Sequence, residues 1–445
     1  MAISYLSYRT ILSIALPMIL GSLGQNLIQF ADTAFLGRLG AVPLGAAALG
    51  GIFYFVLYLI GHAFNTGMQI IAARRAGEGN RIQVGLTVDH HFVLMGLVAM
   101  LLFLVMYAGS GFVLERLVHS TDVQQHAIHF LEIRSWGIFF GLTNSALMAF
   151  YLAIGHTKVN IYSTLAMAMV NVVLDYVFIF GKLGLPAMGV AGAALASVLA
   201  EAVATVIFFV YLFAHAFHKQ FALFRWSSFH LKPIRHIVWL AAPLVAQNLI
   251  SIGAWFLFFV AIEQVLGEKA LAVSNISRSL YTLAGMPVWA LGSTVNAMVS
   301  HLIGQGHSDK VFHLLAKISF ISFVYALAAA LLLYLLPHQA LRFYTADGAL
   351  IESGVTTVRV VALATVLLSI SVLFIFAVSG TGATHMALLI EVICIFIYIF
   401  YLWLVIRSET PSLPKFWLAE AVYWIAALVL CAAYLKQGRW KSRHV

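Results

Sequence analysis

Charge is what this 445-residue sequence has least of: 9% of its residues are charged and 62% are hydrophobic. A soluble globular chain carries roughly 25% charged and about 45–50% apolar residues. A soluble fold of this length could not hide so much apolar surface from water, so the solvent must be lipid. Cysteine is nearly absent as well, with Cys394 and Cys431 both inside apolar runs. That excludes a disulfide framework and a thiol-based metal or redox motif. No G-x-x-x-x-G-K-S/T loop occurs, which argues against ATP hydrolysis within the chain. No nucleophile elbow or metal-spaced His/Cys cluster points to an enzyme or a bound cofactor. The net charge of +9 comes from basic residues scattered through short loops without aromatic interleaving, so nucleic acid is not an expected partner. The first 30 residues lack a signal-peptide cleavage pattern and read as a retained first helix.

What the chain does have is a succession of long apolar runs, such as Phe92 to Tyr107 and Ile318 to Leu336. Such runs suffice to cross roughly 30 Å of hydrocarbon. They are continuously apolar rather than alternating, which favours helices over barrel strands. The expected fold class is all-α integral membrane, with twelve transmembrane helices in two pseudo-symmetric six-helix lobes. Helices are expected over 11–36, 44–72, 85–108, 124–153, 159–180, 188–214, 237–264, 270–300, 312–336, 352–379, 386–406 and 416–435. The expected organisation is an N-lobe over 1–214, a cytoplasmic linker over 215–236, a C-lobe over 237–435 and a basic tail over 436–445. Lys and Arg accumulate on the linker side, at Arg9, Arg74, Arg75, Arg81, Lys158, Lys219, Arg225, Lys232, Arg235, Lys310 and the tail with Lys436, Arg439, Lys441 and Arg443. The positive-inside rule then places both termini in the cytoplasm.

The two halves look related. Leu39-Gly40 matches Leu266-Gly267, Gly77-Glu78-Gly79 matches Gly304-Gln305-Gly306, and Gly155-His156-Thr157 matches Gly382-Ala383-Thr384, each pair 227 residues apart. With six helices between equivalent positions, the halves cross in the same direction. Transporters that rock two bundles about a central site use this plan.

Acids inside apolar helices carry the chemistry, because a carboxylate at the bilayer centre costs roughly 2.5–3.5 kcal/mol and needs a partner, water or a proton. Asp32 shares a helix face with Ser22, Gln25 and Gln29, and Asp175 shares one with Thr164 and Asn171. Both are expected in the outer half at similar depth within one lobe. Two such carboxylates, each backed by an amide, can exchange a proton or hold a cation, or each can simply cap or bond a neighbouring helix. Glu263, Glu391 and Glu420 are placed near helix ends, where snorkelling to the interface suffices. Arg278 and Arg359 are placed deeper, within reach of an acid. Glu201 lies well inside its helix, and its Leu-Ala-Glu-Ala-Val setting recurs around Glu420. The histidines are expected mainly at loops and interfaces. Pro17 removes a backbone hydrogen bond ahead of the Asp32 stripe, and a bend there could couple ion binding to lobe shape as readily as it could be static.

The run from Ala15-Leu16-Pro17 through Ala31-Asp32-Thr33-Ala34-Phe35-Leu36-Gly37-Arg38-Leu39-Gly40, with Gly155-His156-Thr157-Lys158, resembles the multidrug and toxic compound extrusion (MATE) family. Asn171-Val172-Val173-Leu174-Asp175 with Ile179-Phe180-Gly181, and Gly192 through Ser197, extend the resemblance over nearly the whole chain. It looks most similar to the DinF-type prokaryotic branch. The resemblance implies ion coupling at Asp32, Asn171 and Asp175, with Ser197 in the place of a family Thr and with H⁺ or Na⁺ as the coupling ion. It implies that Gln25 lines the substrate cavity, and Gln29, Asn144, Met148 and Met167 join it as candidate substrate contacts. His156 departs from the family's more frequent Asp. The implied activity is export of lipophilic, often cationic small molecules by a monomer in the inner membrane. A lipid-linked precursor flippase and a non-transporting membrane scaffold are the alternatives.

Overall fold

The computed structural model describes residues 7–225 and 230–441. Residues 226–229 of the linker and 442–445 of the tail, Arg443 included, lie outside the described residues. Among the described residues there is no strand. The helices are α1 (Tyr8–Gly37), α2 (Ala41–Gly77), α3 (Arg81–Leu117), α4 (Thr121–Arg134), α5 (Gly137–Ala153), α6 (Lys158–Phe180), α7 (Val190–Ala214) and the short α8 (Phe217–Gln220). They continue as α9 (Leu231–Gly304), α10 (Val311–Leu335), the short α11 (Pro337–Arg342), α12 (Gly348–Gly380), α13 (Thr384–Ile406) and α14 (Leu413–Gln437).

Ten of these helices are long and apolar enough to cross a membrane, or eleven when α4 and α5, bent by 52° at Ser135–Trp136, count as one span. At 1.5 Å per residue the 74 residues of α9 would reach about 110 Å, several times the hydrocarbon thickness. The helix breaks at Gly267, whose φ of 82° and ψ of −179° are not helical. It therefore holds two segments, 231–266 and 268–304, joined without the loop that the sequence suggests. Positive φ at this point is the region glycine adopts without a Cβ penalty.

The same backbone recurs half a chain earlier. Gly40 before α2 has φ 116° and ψ 179°, and the other loop glycines match in turn, Gly79 (75°) with Gly306 (78°) and Gly155 (76°) with Gly382 (83°). The internal repeat is thus visible in backbone conformation as well as in residue type.

The chain divides into two compact units, residues 16–245 and residues 246–445 with the first fifteen. The first has a core that includes Leu102, Phe130, Leu142 and Ile179. In the second, Leu280, Leu341, Ile351 and Val358 pack together, beside an aromatic cluster of Trp255, Phe258, Tyr281 and Trp417. Large apolar side chains stand exposed on the outer faces, among them Leu97 and Leu101 on α3 and Phe396 and Phe400 on α13. Such surfaces suit lipid, not water. The linker is shorter than the sequence suggests, since 231–236 already belong to α9.

Candidate functional site

The site in the 16–245 unit begins with a close crossing of α1 and α6. Asn160 Nδ2 donates to Met18 Sδ at 2.9 Å. One turn on along α6 and nearly two along α1, a Cβ added at Gly24 would lie 2.6 Å from Thr164 Cγ2. Only glycine lets the helices approach so closely, as small residues do in membrane packing. The contacts advance together along both helices, so α1 and α6 run parallel. Eight residues carry Gly24 to Asp32 and seven carry Thr164 to Asn171, rises of about 10–12 Å on both helices. The acids meet because the two helices are in register.

Asn171 and Asp175 are fully buried and Asp32 is half-buried. With the Asn171 amide turned to satisfy both of its ends, Nδ2 donates to Asp32 Oδ1 at 3.0 Å and to Asp175 Oδ2 at 3.2 Å. The other end of the amide lies 3.4 Å from Ser197 Oγ on α7, which then donates to it. The two carboxyls are within hydrogen-bonding reach of each other, and Asp175 Oδ1 receives no donor among the described residues. Two carboxylates so close repel unless a proton or a cation is shared between them. All four residues assigned to ion coupling in the sequence therefore converge on one point.

A second buried charge cluster adjoins it, and sequence reasoning had only half of it. Arg134, the last residue of α4, forms a bidentate pair with Glu201 on α7, Nη1 to Oε2 at 2.8 Å and Nη2 to Oε1 at 2.5 Å. Its guanidinium lies 3.8 Å from the centroid of the Tyr54 ring, and its charge reaches Asp32. Arg134 escaped the reading of the acids because the polar stretch before it, Thr121 to Glu132, reads as interface. Tyr54, Tyr58 and His62 stack at four-residue steps along α2, and His62 Nδ1 lies 3.0 Å from Ser145 Oγ. His91 is buried too and bonds Asn65, so not every histidine is interfacial.

Other candidates are placed differently. Asn144 donates to the Glu201 carbonyl at 2.9 Å and accepts from Thr205 at 2.7 Å. Both ends of its amide thus tie α5 to α7, which leaves it a fastening rather than a free substrate contact. Gln25 and Gln29 are exposed on α1, and Met148 and Met167 are half-buried. Pro17 is buried inside an uninterrupted α1. Arg278 and Arg359 are exposed, over the rings of Phe259 and Tyr334, and pair with no acid among the described residues. Glu391 and Glu420 do not snorkel. They are 2% and 3% exposed, each seven residues inside its helix, and each accepts a hydrogen bond from a tyrosine, Tyr423 and Tyr281 respectively. In the loop before α6, burial, with His215 and Lys158 nearby, holds the His156 imidazole below its ordinary range.

Long apolar helices, exposed apolar faces and two acids brought together between helices define a multi-pass membrane protein. The sequence matches the MatE family model twice, over residues 17–177 and 243–404. The chain belongs to the MatE family, and the two matches fall on the two halves of the internal repeat. A probable multidrug resistance protein NorM of Thermotoga maritima is 25% identical over 98% of this chain and 94% of its own length. A NorM relative from Bradyrhizobium diazoefficiens is 30% identical over 72% of this chain and 69% of its own. The fold matches an outward-facing multidrug resistance MATE family transporter of the MOP superfamily at a TM-score of 0.90 and 18% identity, over 98% and 96% of the two chains. A Vibrio cholerae MATE transporter matches equally, over 98% of each chain.

Proposed function

We propose that the protein is a multidrug exporter of the inner membrane that exchanges lipophilic, often cationic small molecules for protons or Na⁺ by alternating access, working as a monomer. The cluster of Asp32, Asn171, Asp175 and Ser197 carries this reading. A carboxylate pair of this kind attracts a cationic substrate while ionised and loses that attraction once a coupling ion neutralises it. Antiport follows when ion and substrate favour opposite states by differential binding. The NorM names of the relatives support drug export as the activity. The flippase alternative would need a cationic cavity for a pyrophosphate. Arg278 and Arg359, resting on aromatic rings, lend it no support.

The test is dye efflux from liposomes holding the purified protein, under an imposed proton or Na⁺ gradient. Asp32→Asn and Asp175→Asn each remove one carboxylate while keeping its shape. Gradient-driven efflux should fall to background in both, with folded protein retained, and the gradient that drives the unmodified protein identifies the ion. Normal efflux in both variants would move the coupling site elsewhere.

A further inference from the structure

The linker that follows α7 is fastened to α3. Gly85, Asp89 and Phe92 are spaced by four and three residues and share one face of that helix. A Cβ at Gly85 would collide with the Phe221 carbonyl oxygen, so the linker backbone rests where a side chain would stand. The ring of Phe224 stacks on Phe92, and Phe221 packs edge-on against Phe150 of α5. Asp89, 4% exposed, accepts two successive backbone N–H groups, from Phe224 at 2.9 Å and from Arg225 at 3.1 Å. Phe224 holds a φ of 64°, a left-handed conformation that a bulky residue avoids unless its surroundings impose it.

The next residue of α3 takes hold of the same linker further on. His90, also 4% exposed, has Nδ1 2.6 Å from the Leu86 carbonyl oxygen and Nε2 3.0 Å from the backbone nitrogen of His230. A carbonyl oxygen only accepts, and a backbone N–H only donates. The two partners therefore require a neutral ring with its hydrogen on Nδ1 and a bare lone pair on Nε2. A second proton would occupy that lone pair and turn an N–H against the N–H of His230. Adjacent side chains thus grip the linker at 224–225 and at 230, and the second grip is lost when the imidazole is protonated.

We propose that Asp89 and His90 form a clasp for the linker, and that its His90 contact is a proton switch, closed while the ring is neutral and open once it is charged. His230 is the residue from which α9 starts, and α9 carries the chain into the second unit at 246. Opening therefore frees the entry to the second half. On the orientation that the basic loops imply, the switch answers to cytoplasmic acid. Its use in transport rests on the antiport reading; its opening does not. Charged or titratable groups at this end of α3 are Asp89 and His91 on the helix itself, Arg225 and His230 on the linker, Arg74 at the end of α2, and His218 and Lys219 on α8. α5 carries no charged residue, and α4 packs toward the other end, after Leu117.

Spin-label mobility at position 230, read by electron paramagnetic resonance on the purified full chain in detergent, tests this. His230→Cys keeps the backbone N–H, removes the second imidazole of the contact and offers an exposed side chain for the label, while Cys394 and Cys431 are buried. An immobilised component should dominate at about pH 8 and a mobile one at about pH 5, the range over which histidine changes charge. His90→Gln supplies an amide oxygen that accepts but does not titrate, so the immobilised component should then persist throughout. It leaves the other titratable groups in place and isolates the imidazole. The same pH response in His90→Gln overturns the proposal, as does an unchanged spectrum in the labelled parent across the range where it stays folded. Should His90→Gln fail to fold, Gly85→Ala decides, since it displaces the linker from α3. The label should then be mobile at both ends of the range, and an immobilised component at the alkaline end overturns the proposal.

Discussion

An arginine buried among apolar helices stays there only while its charge is met, and Arg134 meets Glu201 with both side chains less than one-sixth exposed. Removing one partner of such a pair leaves an uncompensated charge, at a cost of about 3–5 kcal/mol, whereas replacing both with apolar groups is often close to neutral. Arg134→Leu should therefore lower the melting temperature in detergent sharply, and Arg134→Leu/Glu201→Leu should recover most of the loss. Equal losses in the single and double variants would show that the pair is not coupled. At this scale the acids were legible because a carboxylate in an apolar run is conspicuous. Arg134 was not, because the stretch before it, Thr121 to Glu132, is polar enough to read as interface. Burial of Glu391 and Glu420 was hidden for another reason: distance from a helix end gives depth, but not whether tyrosines from other helices close over the group.

The ion cluster depends on helix register more than on any one of its members. α1 and α6 touch where Gly24 meets Thr164, and a methyl at position 24 would collide with the threonine. Gly24→Val should push the helices apart, overpack the contact at a cost of about 1–3 kcal/mol and pull Asp32 away from Asn171. Dye efflux should fall although no cluster residue has changed. Thr164→Ala, which opens space opposite, should restore part of it. Absence of rescue would mean that the loss arises from something other than helix separation. The existence of these helices was legible from apolar run length, but their ends and bends were not. α3 extends to Arg81–Leu117 where the apolar run suggests 85–108, since a helix can continue past the hydrocarbon without any change in backbone preference. The 52° bend between α4 and α5 falls at Ser135-Trp136-Gly137, where the serine and glycine permit a kink without dictating one.

Across the whole chain the repeat is the most informative pattern, because loop glycines at a constant spacing kept both their residue type and their positive φ. What the repeat does not carry is charge: at the same spacing, Arg134 and Glu201 of the first half fall on Val361 and Leu428 of the second. Length alone gives ten or eleven spans, and the expectation of twelve depends on dividing α9 at Gly267. Orientation rests on basic residues and is open to a direct check. Asp309, in the single 3-10 turn Ser308–Lys310, and Glu409, in the connection before α14, are exposed and separated by the three long helices α10, α12 and α13, an odd number of crossings. Cys394 and Cys431 are buried, so single cysteines at these two positions can be read without removing them. A membrane-impermeant maleimide should label Glu409→Cys on intact cells and Asp309→Cys only after permeabilisation, which puts both termini inside. The reverse pattern would invert the protein in the membrane, and labelling of both from outside would contradict three crossings between them.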